Sequence, residues 1–152
     1  MTAFVITPLG QIEADAIRDE IGSGQRAARL VTLEEPGAPC RSCLQAAAAG
    51  DRMWLLSYQP FRGESFYAVP SPIYLHADSC TPYECADELP ALVRTGERAV
   101  RSYDAGHDLV DGLVASGAEI ETAIEKLLAD DRVEYLHVYS ATAGCYTCRV
   151  DR

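Results

Sequence analysis

Cysteine and histidine are the residues in this chain best suited to chemistry, and the six thiols fall into three close pairs: Cys40 and Cys43, Cys80 and Cys85, Cys145 and Cys148. His76 stands shortly before the second pair and His137 shortly before the third. Paired soft donors near imidazoles serve as a tetrahedral zinc site, a redox-active dithiol, or small apolar side chains packed in a core. Cys40, Cys43, His76 and Cys80 read as C-x2-C followed by H-x3-C, which suits zinc in ligand type and local spacing and makes it the one cofactor the sequence points to. The turn through Cys40 and Cys43 lacks the glycine that usually lets backbone amides approach the sulfurs. The same two thiols precede the alanine-rich stretch from Leu44 to Ala49, read as a short helix stopped by Gly50. A helix N-terminus lowers thiol pKa, so a dithiol oxidoreductase or another thiol-dependent enzyme is a competing chemistry. Pro39, not an aromatic, precedes Cys40, and no βαβ setting surrounds it.

A second grouping comes from the C-terminal hairpin expected from Val133 to Tyr139 and Cys145 to Val150. Successive strand residues alternate faces, so Cys145, Thr147 and Arg149 fall on one side and Tyr146, Cys148 and Val150 on the other, unless a bulge intervenes. With the apolar sides facing one core, Tyr135, His137, Tyr139, Cys145, Thr147 and Arg149 share a face, and Cys148 becomes a buried hydrophobe. A guanidinium near a thiol raises its reactivity, which singles out Cys145. The plain alternative is a solvated sheet face whose His137 and Arg149 meet only water and carboxylates.

The elements that must position these groups follow from periodicity. Thr7 and Pro8 open a helix with Leu9, Ile12, Ala16, Ile17 and Ile21 at helical spacing, ended by Gly22-Ser23-Gly24. Arg29 to Leu33 reads as a short strand, and Met53 to Tyr58, apolar on both parities, as a central one. Pro60 to Pro72 is a structured loop in which Phe61, Phe66 and Tyr67 have apolar area to bury. Ile73 to His76 is a strand, Asp78 to Pro90 is irregular, and Arg98 to Tyr103 with Leu109 to Ala115 form a hairpin turning at Asp104 to His107, where His107 is expected to be exposed. Ser116 with Glu119 has the capping-box pattern ahead of a helix whose Ile120, Ile124, Leu127 and Leu128 form one stripe. Neighbouring strands joined by short turns, with helices set apart, indicate a single α+β domain over residues 1–152, a largely antiparallel sheet with a few helices packed on it.

A chain of 152 residues, 48% hydrophobic, is long enough to bury a core without disulfide staples. Its formal charge of -10 repels phosphate backbones and anionic lipid, which argues against nucleic acid and membrane partners. The first residues show neither the basic and apolar regions of a leader nor a cleavage signal, and no later run has the roughly 20 apolar residues of a membrane span. The expected location is the cytoplasm, with thiols reduced or metal-bound.

Pro39-Cys40-Arg41 with Cys43-Leu44, Pro72-Ile73 with His76, Arg101 with Tyr103, and His137 with Gly144-Cys145 and Arg149 together resemble the bacterial family called domain of unknown function 1203. The resemblance runs from about Cys40 to the C-terminus and implies a stand-alone bacterial protein of uncharacterised activity, with Cys, Arg, His and Tyr among its motif residues. Ser140 departs from the asparagine often found there in the family. The combined expectation is a pocket lined by Arg41, His76, Arg101, Tyr103, His137, Cys145 and Arg149 that binds a small anionic molecule, since arginine forks match carboxylate and phosphate geometry. A zinc-stabilised structural or interaction protein built on Cys40, Cys43, His76 and Cys80, and a thiol enzyme, are the alternatives.

Overall fold

The alternating and helical patterns resolve into ten strands and two helices among residues 3–152, the residues described by a computed structural model. The main sheet holds five antiparallel strands in the order β1 (Val5–Thr7), β10 (Tyr146–Asp151), β9 (Tyr135–Ser140), β7 (Glu97–Tyr103) and β8 (Leu109–Ser116). A second antiparallel sheet runs β2 (Arg29–Thr32), β5 (Arg52–Tyr58) and β6 (Ser71–His76), and β3 (Gly37–Pro39) pairs with β4 (Ala46–Ala47). The protein is an α+β domain. No helix among the described residues is long and apolar enough to cross a membrane.

The two helices serve two cores. On α2 (Glu119–Leu128), Ile120, Ile124, Leu127 and Leu128 pack against Val100, Leu136, Val138, Cys148 and Val150 on one face of the main sheet. Each such aliphatic side chain contributes about 1.5–3 kcal/mol when fully buried. On α1 (Gln11–Gly22), Ala14 and Ile17 join Leu56, Ile73 and Leu75 of the second sheet, and this core reaches Tyr139 and Tyr146 of the first. Cys148 is buried in the α2 core, as its hydrophobic neighbours require.

Four local expectations are corrected. Leu44 to Ala49 is not a helix: Leu44 has φ 55, and Ala46–Ala47 pair with β3. An alanine run this short cannot nucleate a helix by itself, and the chain must reverse after Cys43. Ser116 does not cap α2, because it remains in β8 paired with Glu97, and the residue before the helix is Ala118 without a side-chain cap. Phe61 is buried as expected, but Phe66 is fully exposed and Tyr67 largely so. His107 is half-buried, its Nδ1 2.7 Å from the hydroxyl of Tyr135.

The most consequential departure lies at the start of β10, where the register shifts between Tyr146 and Cys148. Tyr146 stands opposite Tyr139 and Cys148 opposite Val138, so two residues of β10 advance the pairing by one on β9. Tyr146 thereby joins the face of His137 and Tyr139, 5.2 and 5.9 Å away by ring centroids. Cys145, one residue earlier, falls with Ser140 on the opposite side, so the bulge overturns the parity that put Cys145 beside His137.

Candidate metal centre

The first two sulfurs are placed by a turn locked at both ends. Cys40 continues from β3 to form a parallel bridge with Tyr74 of β6, and the Arg41 amide donates to the Tyr74 carbonyl at 3.0 Å. The Leu44 amide donates to the Cys40 carbonyl at 2.9 Å, and the Cys40 amide to the Gln45 carbonyl at 3.0 Å. Leu44 takes the left-handed conformation that glycine adopts most readily. Its side chain is 2% exposed and packed in the α2 core, which accounts for leucine at this position.

His76 ends β6, and Cys80 follows in the irregular segment. One donor atom from each of Cys40, Cys43, His76 and Cys80 lies within 4.8 Å of the other three. Sulfur ligands at about 2.3 Å from a tetrahedral zinc sit roughly 3.8 Å from one another. The Cys40 and Cys80 sulfurs are 3.8 Å apart, and Cys43 Sγ is 3.7 Å from His76 Nδ1. The four residues can hold a metal ion, and their spacing matches a tetrahedral one.

Electrostatics favour a cation at this spot. S–H donation from Cys43 and then Cys80 holds the Cys40 thiol well below its usual range. The same contacts with Cys40 push Cys43 up, and contact with Cys40 likewise raises Cys80. Three thiolates this close repel one another, and a dication among them stabilises all three. His76 Nε2 is 3.2 Å from Asp51 Oδ2, a carboxylate that accepts the ring proton and leaves Nδ1 free to face the sulfurs. The Ala48 amide, and then His76, hold the Asp51 carboxyl below its ordinary range. Arg18 of α1 donates from Nε to the His76 carbonyl at 3.0 Å and lies 3.7 Å from the Cys80 sulfur.

The remaining expected site residues occupy two other places. Arg101, His137 and Arg149 form a cross-strand row on β7, β9 and β10. His137 is 0% exposed, ringed by Phe61, Tyr103, Tyr135 and Tyr146 at 4.8–5.2 Å, with Nδ1 3.1 Å from the Tyr139 hydroxyl. Burial, then Arg149 and Arg101, push it down to about 3, so this imidazole stays neutral. Arg149 lies 4.0 Å above the Tyr135 ring and pairs with Asp151 at 2.8 Å, while Arg101 lies 4.4 Å above Tyr139. Burial raises Tyr103, which is 1% exposed beside them. Arg41 and Cys145 instead line a cavity with Arg98 and Ser140. The seven residues expected in one pocket are thus divided among three locations.

Asp51, Arg18 and Arg98 were not visible as site residues in the sequence. Asp51 reaches His76 only because β5 and β6 pair in register, and Arg18 comes from a helix 62 positions from Cys80. Arg98 alternates inward on β7, a signal masked by its charge.

Fold and site together define an α+β protein with a three-cysteine, one-histidine cluster able to hold a metal ion. The chain belongs to the family described as "Protein of unknown function (DUF1203)", whose model matches residues 37–152. That span includes the four cluster residues and Asp51, while Arg18 lies before it. Neither the curated proteins nor the solved structures contain a match.

Proposed function

We propose that this is a zinc-stabilised structural domain in which Cys40, Cys43, His76 and Cys80 bind one Zn²⁺. The observation that carries the reading is the convergence of four donor atoms within 4.8 Å, drawn from the β3–β4 turn, the end of β6 and the segment beyond it. Three sulfurs and an imidazole complete a tetrahedral shell and leave no open position for a substrate, which is the pattern of a structural rather than a catalytic zinc. The metal fastens the irregular chain after β6 to the edge of the second sheet. Asp51 orients the imidazole, and Arg18 offsets the negative charge that three thiolates leave on a zinc centre. A dithiol enzyme fits less well, because the helix that would activate Cys40 is replaced by the β3–β4 turn.

Elemental analysis of protein purified without added zinc tests the proposal: about one equivalent per chain is expected. Replacement by Co²⁺ should give the intense visible absorption of a tetrahedral thiolate site, lost in Cys80→Ser. Metal-free protein that melts at the same temperature with and without zinc would refute the reading.

A further inference from the structure

The cavity holding Cys145 contains an imbalance of charge that the metal centre does not explain. Arg41 is 4% exposed and Arg98 is 9% exposed, yet neither joins an ion pair among the described residues. Arg98 is held by carbonyls: its Nη2 donates to Leu92 and Thr95 at 2.6 and 2.7 Å, and its Nε to Val93 at 3.3 Å. Arg41 donates from Nη1 to the Pro39 carbonyl at 3.0 Å, but its buried Nε has no partner. A guanidinium cannot shed its proton to escape burial, so two of them buried without a carboxylate call for a counter-anion.

Both arginines line one cavity of about 210 Å³ with Ser140 and Cys145, and Pro39, Leu55, Pro72 and Tyr74 complete its lining. Gly144, at φ 74, ends the turn after β9 and delivers Cys145 to this wall. The volume corresponds to roughly seven waters at about 30 Å³ each. Two cations and a hydroxyl beside the apolar Pro39, Leu55 and Pro72 suit a ligand with an anionic head and a short hydrocarbon body. Pro39, Leu55 and Pro72 offer no side-chain donors to the additional oxygens of a phosphate group.

We propose that the cavity between Arg41, Arg98, Ser140 and Cys145 is a binding site for a small organic monocarboxylate. The Arg41 guanidinium and the Ser140 hydroxyl receive the carboxylate, and the hydrocarbon part lies against Leu55 and Pro72. The chain's overall charge of -10 repels anions, so affinity depends on this local pair of cations.

Cys145 is half-buried in the wall and supplies the reporter. Iodoacetate is itself a small carboxylate, and iodoacetamide is its neutral counterpart. Alkylation of Cys145 in the zinc-loaded protein, mapped by peptide mass spectrometry, should show an iodoacetate-to-iodoacetamide rate ratio at least about tenfold higher than at the same residue in the urea-unfolded chain. Millimolar propionate should slow the iodoacetate reaction, and Arg41→Gln should bring the ratio back toward the unfolded value. A folded ratio equal to or below the unfolded one overturns the proposal. Protection by inorganic phosphate where propionate gives none overturns the carboxylate assignment. If Arg41→Gln does not fold, the wild-type ratio and its competition by propionate decide the matter.

Discussion

Two histidines end up in opposite electrostatic settings although both stand on sheet strands, His76 on β6 and His137 on β9. His76 lies among three thiols, with Cys43 Sγ 3.7 Å from Nδ1, and meets a carboxylate through Nε2, donor groups that suit a cation. His137 faces five aromatic rings, among them Tyr139 whose hydroxyl meets Nδ1, and two arginines, and its buried Nε2 has no partner. Burial and those guanidiniums oppose any positive charge there. Histidine serves as a metal ligand or a neutral core spacer according to the sign of its surroundings, and both kinds of surroundings occur in this one small domain.

The contrast is broken most severely at the metal centre. Chelation of wild type, or Cys80→Ser, should remove the metal and about 4 kcal/mol of stability if zinc is present at roughly a thousandfold its dissociation constant. For a chain of this length that is a fall of about 8–16 °C in melting temperature. Cys85→Ser, at an exposed thiol outside the cluster, should shift stability by less than about 0.5 kcal/mol in the same melting experiment.

Acid acts on the other histidine. The folded-state pKa of His137 is depressed to about 3, below its unfolded value of about 6.5, so between these limits the unfolded chain binds the extra proton. The associated stability is present above pH 6.5 and is lost as pH falls, by up to about 1.4 kcal/mol per unit. Urea unfolding at pH 6.5 and pH 4.5 should therefore show His137→Leu losing about 2–3 kcal/mol less than wild type across that interval. Equal losses in the two proteins would mean that His137 is not buried neutral.

Two milder changes sharpen the comparison. Asp51→Asn keeps the shape of the carboxylate but weakens its grip on the His76 ring proton, and should lower metal affinity by about 10–100-fold in chelator competition. Arg149→Gln removes the largest charge acting on His137 and should raise the imidazole pKa by under about one unit, read from ring proton shifts in NMR. A fall on that substitution would contradict the arrangement around His137.

The α2 stripe, the hairpin of β7 and β8, and the apolar run that became β5 were legible because each depends on interactions within a few residues. The Cys40, Cys43, His76 and Cys80 cluster was legible as residue types at suitable spacing, though not as a site: Cys43 and His76 are 33 positions apart and meet only through the pairing of β3, β5 and β6. Parity in the last hairpin was read correctly for His137, Arg149 and the buried Cys148. It failed at Cys145 because one extra residue near Tyr146 reverses every face before it. Leu44 misled for a related reason, since helix propensity in an alanine run was overridden by a turn that a core side chain anchors.

What the sequence determined by itself was the acidity of the chain, the kinds of local element and the availability of soft ligands, all of which follow from composition and short-range periodicity. Tertiary structure alone decided which cysteines meet, which histidine can face a cation and which arginines lie buried without a carboxylate. Those outcomes depend on hydrogen-bond register between distant strands, and a shift of a single residue in that register moves a side chain to the opposite face of a sheet.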